Sequence, residues 1–247
     1  MPPRAAGRAA AWRHLAGEAT RPGTAALATD AQVLGAANRC AGPRDVVVCA
    51  AGGLPGELHK LWRASGPGAY HLEYGYSCMG YEIAGGLGVK MAQPDREVVV
   101  MVGDGSYMMM NSELATSVML GLKIILVILD NRGFACINRL QMGTGSDPFN
   151  NLLDDARHVS PSAIDFRQHA ESMGATSEKV ASLDELEAAL ERAKASDTSY
   201  AIVIDTDPLI VTEAGGAWWD VAVAEVSESE RVRAARAAYE TKLSRAE

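Results

Sequence analysis

Two short glycine-bearing runs carry the residue types that hold a phosphorylated ligand and a hard metal ion: Gly103-Asp104-Gly105-Ser106 and Asp130-Asn131-Arg132-Gly133. Glycine lets backbone N–H groups come close to a phosphate, because no Cβ stands between them. Asp104 offers a carboxylate oxygen to a divalent cation, and the second run offers the Asn131 amide oxygen and backbone carbonyls. Magnesium takes oxygen ligands in near-octahedral geometry, usually one or two protein side chains with phosphate oxygens and water. Either run alone also fits an ordinary polar turn. What lifts them above that reading is their order, each directly after an apolar, β-branched stretch.

The elements that must position these runs are legible around them. Glu97–Val102 reads as a buried strand ending at Gly103, Asn111–Leu120 as a helix, and Ile124–Leu129 as a second buried strand. Upstream, Thr29 and Gln32 fit a capping box that opens a helix, and Asp45–Cys49 reads as a strand. Ala51-Gly52-Gly53-Leu54-Pro55-Gly56 breaks that strand, and a short helix follows around Leu58–Trp62. Met79–Met91 has helical apolar spacing, and its glycines point to close packing on a sheet. Downstream, Ala163–Met173 is helical, Ser177–Val180 a short strand, Leu183–Ala195 a helix capped by Ser182 and Glu185, and Tyr200–Asp205 a last apolar strand. Continuous apolar strands alternating with helices predict an α/β fold, a doubly wound parallel sheet with helices on both faces. Ligands of such sheets lie beyond the carboxyl ends of the strands, where both glycine runs fall.

Composition bounds the rest. The chain has 247 residues, 48% of them apolar, and a net charge of −8. That size suits one large core. The acidity argues against nucleic-acid and anionic-membrane partners, so any bound anion must be held locally. Cys40, Cys49, Cys78 and Cys136 are widely spaced, which speaks against a zinc site or a disulfide framework and for a cytoplasmic setting. Arg4, Arg8 and Arg13 hint at a targeting segment, but Trp12, His14 and Glu18 interrupt any apolar stretch there. Residues 1–28 read as a helical linker remnant, 29–206 as the domain, and 207–247 as a tail with the aromatic pair Trp218-Trp219 and a charged helix near Glu228–Lys242.

The two runs with the helix and strand between them resemble the cofactor motif of thiamine-diphosphate (ThDP) enzymes, GDG followed after a helix and a strand by NN. The resemblance implies a pyrophosphate-binding domain with Asp104, Asn131 and the Gly133 carbonyl as magnesium ligands, and Ser106 at the diphosphate. Gly103, Gly105, Phe134 and Ala135 complete that wall. Asp130 departs from the first asparagine of the motif and spares all three ligands. Ser77-Cys78-Met79-Gly80-Tyr81 is similar to the segment that, in the acetolactate-synthase-like branch, sets a bulky apolar side chain beneath the cofactor; Met79 matches it. An ordinary core methionine is the competing reading. Gly52-Gly53-Leu54 fall where the family lines the diphosphate pocket, and a plain strand-to-helix turn competes there.

The runs His71–Glu82, Asp130–Gln141 and Gly215–Val221 are together similar to the branch that opens a cyclic 1,2-dione in inositol catabolism. That implies hydrolysis of a carbon–carbon bond, with His71, Glu73 and Tyr74 as candidate proton donors; sheet-edge and interface roles compete for each. It also implies a pyrimidine-binding domain or subunit as partner, a small cyclic dione as substrate and a homo-oligomer. With no room here for that second domain, the chain reads as a fragment or split subunit. An acetolactate-synthase-like carboligase component and a non-catalytic remnant that binds ThDP and magnesium stay open beside the hydrolase.

Overall fold

Four of the strands are apolar along nearly their whole length, and a strand of that kind needs cover on both faces. The structure, a computed structural model, describes residues 3–160, 162–212 and 221–244. In chain order its elements are α1 (Pro3–Ala19), α2 (Asp30–Cys40), β1 (Val46–Cys49), α3 (Gly53–Leu61), β2 (Tyr70–Leu72), α4 (Tyr81–Ala92), β3 (Val98–Gly103) and α5 (Asp104–Met109). There follow α6 (Glu113–Met119), β4 (Ile125–Asp130), α7 (Ala135–Gly143), α8 (Phe166–Ser172), β5 (Thr176–Val180), α9 (Leu183–Ala195), β6 (Tyr200–Asp205) and α10 (Glu230–Leu243). The aromatic pair Trp218-Trp219 lies outside the described residues.

The strands form one parallel sheet in the order β2-β1-β3-β4-β6-β5. Val47, Cys49, Val99, Met101, Ile125 and Val127 face α2, α3 and α9, while Val46, Val48, Val98, Val100, Leu126 and Ile128 face α4, α5, α6 and α8. The fold is the expected doubly wound α/β sheet. Its connections reverse direction between β1 and β3, which opens a crevice beyond the ends of those strands.

Several boundaries move. The helix expected at Leu58–Trp62 begins at Gly53, because Gly52 takes φ 92° and turns the chain directly into it. Pro55 is tolerated in that first turn, where its N–H would have no helical partner. The helix expected from Met79 begins at Tyr81, after Gly80 at φ 88°. Of its glycines, Gly86 does allow close packing, since a Cβ there would overlap Val100, whereas a Cβ on Gly88 would meet nothing. Both glycine runs read as loops lead at once into short helices, α5 and α7. The segment read as a linker remnant docks: Ala16 is buried with Ala31 and Leu61, and the Trp12 indole donates to the Lys60 carbonyl at 3.1 Å. The capping box at α2 holds, with Gln32 N–H donating to Thr29 Oγ1 at 3.3 Å; at α9 Glu185 N–H donates to Ser182 Oγ at 3.2 Å, while the Glu185 carboxylate accepts from Ala181 N–H at 2.8 Å.

Candidate active site

The ends of β1, β3 and β4 border a cleft of about 320 Å³. Gly52, Gly53, Leu54, Ser77, Met79, Gly103, Asp104, Gly105, Ser106, Asn131, Gly133, Phe134 and Ala135 all line it, as does Tyr74. Helices α3, α5 and α7 start at its wall, from Gly52, Gly103 and Phe134, and none has a side-chain cap. Side-chain caps are absent from α4, α6 and α10 as well, while α2, α8 and α9 are capped by Thr29, Asp165 and Ser182. Uncapped first turns leave backbone N–H groups and the positive ends of helix dipoles for an anion.

Asp104 is 6% exposed, and its Oδ2 accepts from Gly133 N–H at 2.8 Å. Burial first, then the neighbouring Asp130, lifts its pKa from 3.8 to about 7 against the pull of three backbone amides. Ionising it alone therefore costs about 4 kcal/mol more than in water. A cation beside it would remove that cost. The Asn131 amide lies 2.8 Å from Gly133 O and 3.3 Å from Asp104 Oδ1. With its nitrogen turned there, it donates to both. With its oxygen turned there, it faces two other oxygens at the spacing of adjacent octahedral positions, roughly 3 Å for magnesium–oxygen bonds near 2.1 Å. Such a set repels itself unless a cation sits between its members, so the donors fit magnesium. Gly133 can hold its place only as glycine: φ is 143°, and a Cβ would overlap Asn151 O.

Comparison with known proteins bears directly on this cleft. Residues 50–205 match the family described as thiamine pyrophosphate enzyme, C-terminal TPP binding domain. The chain belongs to this family. Its cofactor is ThDP, the same compound under its other name.

Curated relatives of the domain include the 3D-(3,5/4)-trihydroxycyclohexane-1,2-dione hydrolase of Bacillus subtilis (strain 168), 48% identical over 204 residues, which are 81% of this chain and 32% of that protein. Its counterpart in Halalkalibacterium halodurans is 44% identical over 214 residues, 85% of this chain and 33% of that one. The chain thus spans about a third of the length of these relatives. Among solved structures, the thiamine diphosphate-dependent 4-hydroxybenzoylformate decarboxylase of Rhodococcus jostii RHA1 superposes with a TM-score of 0.64 at 21% identity, over 75% of this chain and 34% of that one, a likeness of fold.

Within the ThDP-binding domain, the departure at Asp130 has a structural account. Asp130 closes β4 beside Asp205, and its Oδ1 accepts from Arg132 N–H at 3.0 Å, so it shapes the turn that presents Asn131. It lies on the wall of a neighbouring cleft and does not line the one that holds Met79 and Asp104.

Of the candidate proton donors, the structure brings only Tyr74 to the cleft. Burial raises its hydroxyl well above the ordinary tyrosine value, which keeps its proton in place. His71 lies on β2, its Nε2 2.7 Å from the Tyr81 hydroxyl and its ring stacked on that tyrosine, and it borders a separate shallow groove along α4. Glu73 does not line the cleft either. Its carboxylate accepts from Cys78 N–H at 2.9 Å and Tyr76 N–H at 3.2 Å, which lowers its pKa and leaves it a loop clamp with no proton to give.

Sequence reasoning passed over three charged residues. Glu82, 1% exposed, accepts from Ala51 N–H at 3.2 Å, Gly80 N–H at 3.1 Å and Ser106 Oγ at 2.8 Å, so one carboxylate joins three cleft segments. The Ser106 hydroxyl is thereby committed, and it also accepts from Gly80 N–H at 2.8 Å. Asp30, 5% exposed, and Arg139 also line the cleft. The available signal for Glu82 was a carboxylate beside Ile83 on an otherwise apolar, glycine-rich helix. Asp30 stands in the first turn of α2, where acids are common, and Arg139 sits on a helix that was not expected.

Proposed function

We propose that the chain is the ThDP- and magnesium-binding part of a hydrolase that opens a cyclic 1,2-dione by cleaving a carbon–carbon bond. The observation that carries this reading is the convergence of the Asp104 carboxylate, the Asn131 amide and the Gly133 carbonyl at the wall of one cleft. The substrate class follows from the printed function of relatives up to 48% identical. Those relatives are about three times as long, which supports a pyrimidine-binding domain as partner.

When bound, ThDP supplies an electron sink that allows the bond next to a carbonyl to break. The chain's own residues then have definable tasks. Asp104, Asn131 and the Gly133 carbonyl would hold magnesium, and the first turns of α3, α5 and α7 would offer N–H groups to the diphosphate. Met79, on the cleft wall, would pack against the cofactor and exclude water. Tyr74, whose hydroxyl keeps its proton, would stand at the cleft as a hydrogen-bond donor to the substrate. We assign the protein to the cytoplasm, in keeping with its free thiols, and to a homo-oligomer in which the partner domain closes the cleft.

The test combines this chain with the amino-terminal region of the Bacillus subtilis relative, ThDP, magnesium and trihydroxycyclohexane-1,2-dione. Ring opening supports the proposal. Acetolactate formation from pyruvate with an inert dione would replace it with a carboligase, and cofactor binding with neither reaction would leave a binding domain.

A further inference from the structure

A diphosphate carries more negative charge than one divalent cation neutralises, and among the described residues lining the cleft only Arg139 brings a positive side chain. Its position is built. Cys136 and Arg139 lie one helical turn apart on α7 and both face Gly53, with a Cβ there falling 3.6 Å from Cys136 Cβ and overlapping Arg139 Nη2. Arg139 Nη1 donates to the Pro208 carbonyl at 2.5 Å, which fixes the guanidinium across the start of α3. Asp30, buried in the cleft wall, lies close enough to feel its charge. The Gly53 and Leu54 amides open α3 without a side-chain cap, so a guanidinium and a helix start converge on one spot.

We infer that Arg139 is a second cationic ligand for the cofactor's diphosphate, gripping it at the Gly52-Gly53 turn while magnesium grips it at Asp104 and Asn131. This rests on the ThDP reading and adds a residue to it. Gly53 then has a specific reason to lack a side chain: it leaves the space the guanidinium occupies. The glycine turn itself offers no charged group, and α7 supplies one from across the cleft.

The test is calorimetric titration of the chain, with magnesium, against ThDP, inorganic diphosphate and thiamine. Arg139→Met should weaken ThDP and diphosphate binding by roughly tenfold or more, as loss of a hydrogen bond to a charged group does. Arg139→Lys should recover part of the loss, and any affinity for thiamine should not change. Gly53→Ala, which displaces only the tip of a flexible side chain, should lower ThDP affinity with little change in thermal unfolding; it serves also if Arg139→Met fails to fold. Folded variants that bind ThDP like the wild type would overturn the inference alone, as would equal losses for thiamine and ThDP. A wild-type chain that binds neither ThDP nor diphosphate would overturn the cofactor reading and this inference with it.

Discussion

Glu82 and Ser106, 24 positions apart, meet in the protein interior with the serine hydroxyl 2.8 Å from both carboxylate oxygens. The same carboxylate accepts the N–H groups of Ala51 and Gly80, so the turn before α3, the residue after Met79 and the first turn of α5 share one anchor. A buried acceptor with several donors is costly to remove, because each donor is left without water or partner.

Glu82→Ala should therefore destabilise the chain by about 3 kcal/mol or more, with Glu82→Gln intermediate. Urea unfolding measures this. A stability equal to wild type would show that the three segments hold themselves. In Glu82→Gln, where the fold survives, ThDP affinity should also fall.

Replacing Asp104 by alanine should abolish magnesium-dependent ThDP binding and leave the fold largely intact. Met79→Ala should leave metal binding in place, since that side chain touches the cofactor side of the cleft. Calorimetric titration with and without magnesium separates the two variants, and unchanged binding in the Asp104 variant would sink the metal assignment.

Asp30 gives a pH dependence. Burial, opposed by Arg139 and reinforced by Glu57 and Asp207, raises it from 3.8 to about 6 in the folded chain. A folded-state value above the unfolded one means that the native state binds the extra proton, so this contribution is full below pH 4 and is lost as pH rises to about 6. Its size is about 3 kcal/mol. Asp30→Asn should remove that loss, so the difference in stability between variant and wild type should grow in the variant's favour from pH 4 to pH 6.5. A difference that stays flat across this range would refute the assignment.

Gly133→Ala should be destabilising by about 2 kcal/mol or more and should impair cofactor binding, because the residue sits at φ 143° with Asn151 O where a Cβ would go. A thermal melt checks the first effect. Gly103→Ala is the control for the melt alone, since a Cβ there meets nothing within 4 Å.

The sequence by itself determined the parallel sheet, because strands such as Val98–Gly103 and Ile125–Asp130 are apolar without alternation and can only be covered on both faces. It determined where ligands gather, because Asp104 and Asn131 follow those strands directly. Local chemistry also fixed the starts of α2 and α9, whose caps are made within four residues. Other features depend on partners distant in the chain. Helices α5 and α7 are too short for a hydrophobic period to show, and they form because strand ends and glycine turns launch them toward the cleft. Strand β2 is three half-buried residues at a sheet edge, and the side on which His71 falls is set by pairing with β1 and by Tyr81 on α4. Glu82 with Ser106 is a pairing behind the cleft wall, and Arg139 with Gly53 one within it. No local pattern encodes them, because each exists only once the sheet has brought separate segments within hydrogen-bonding reach.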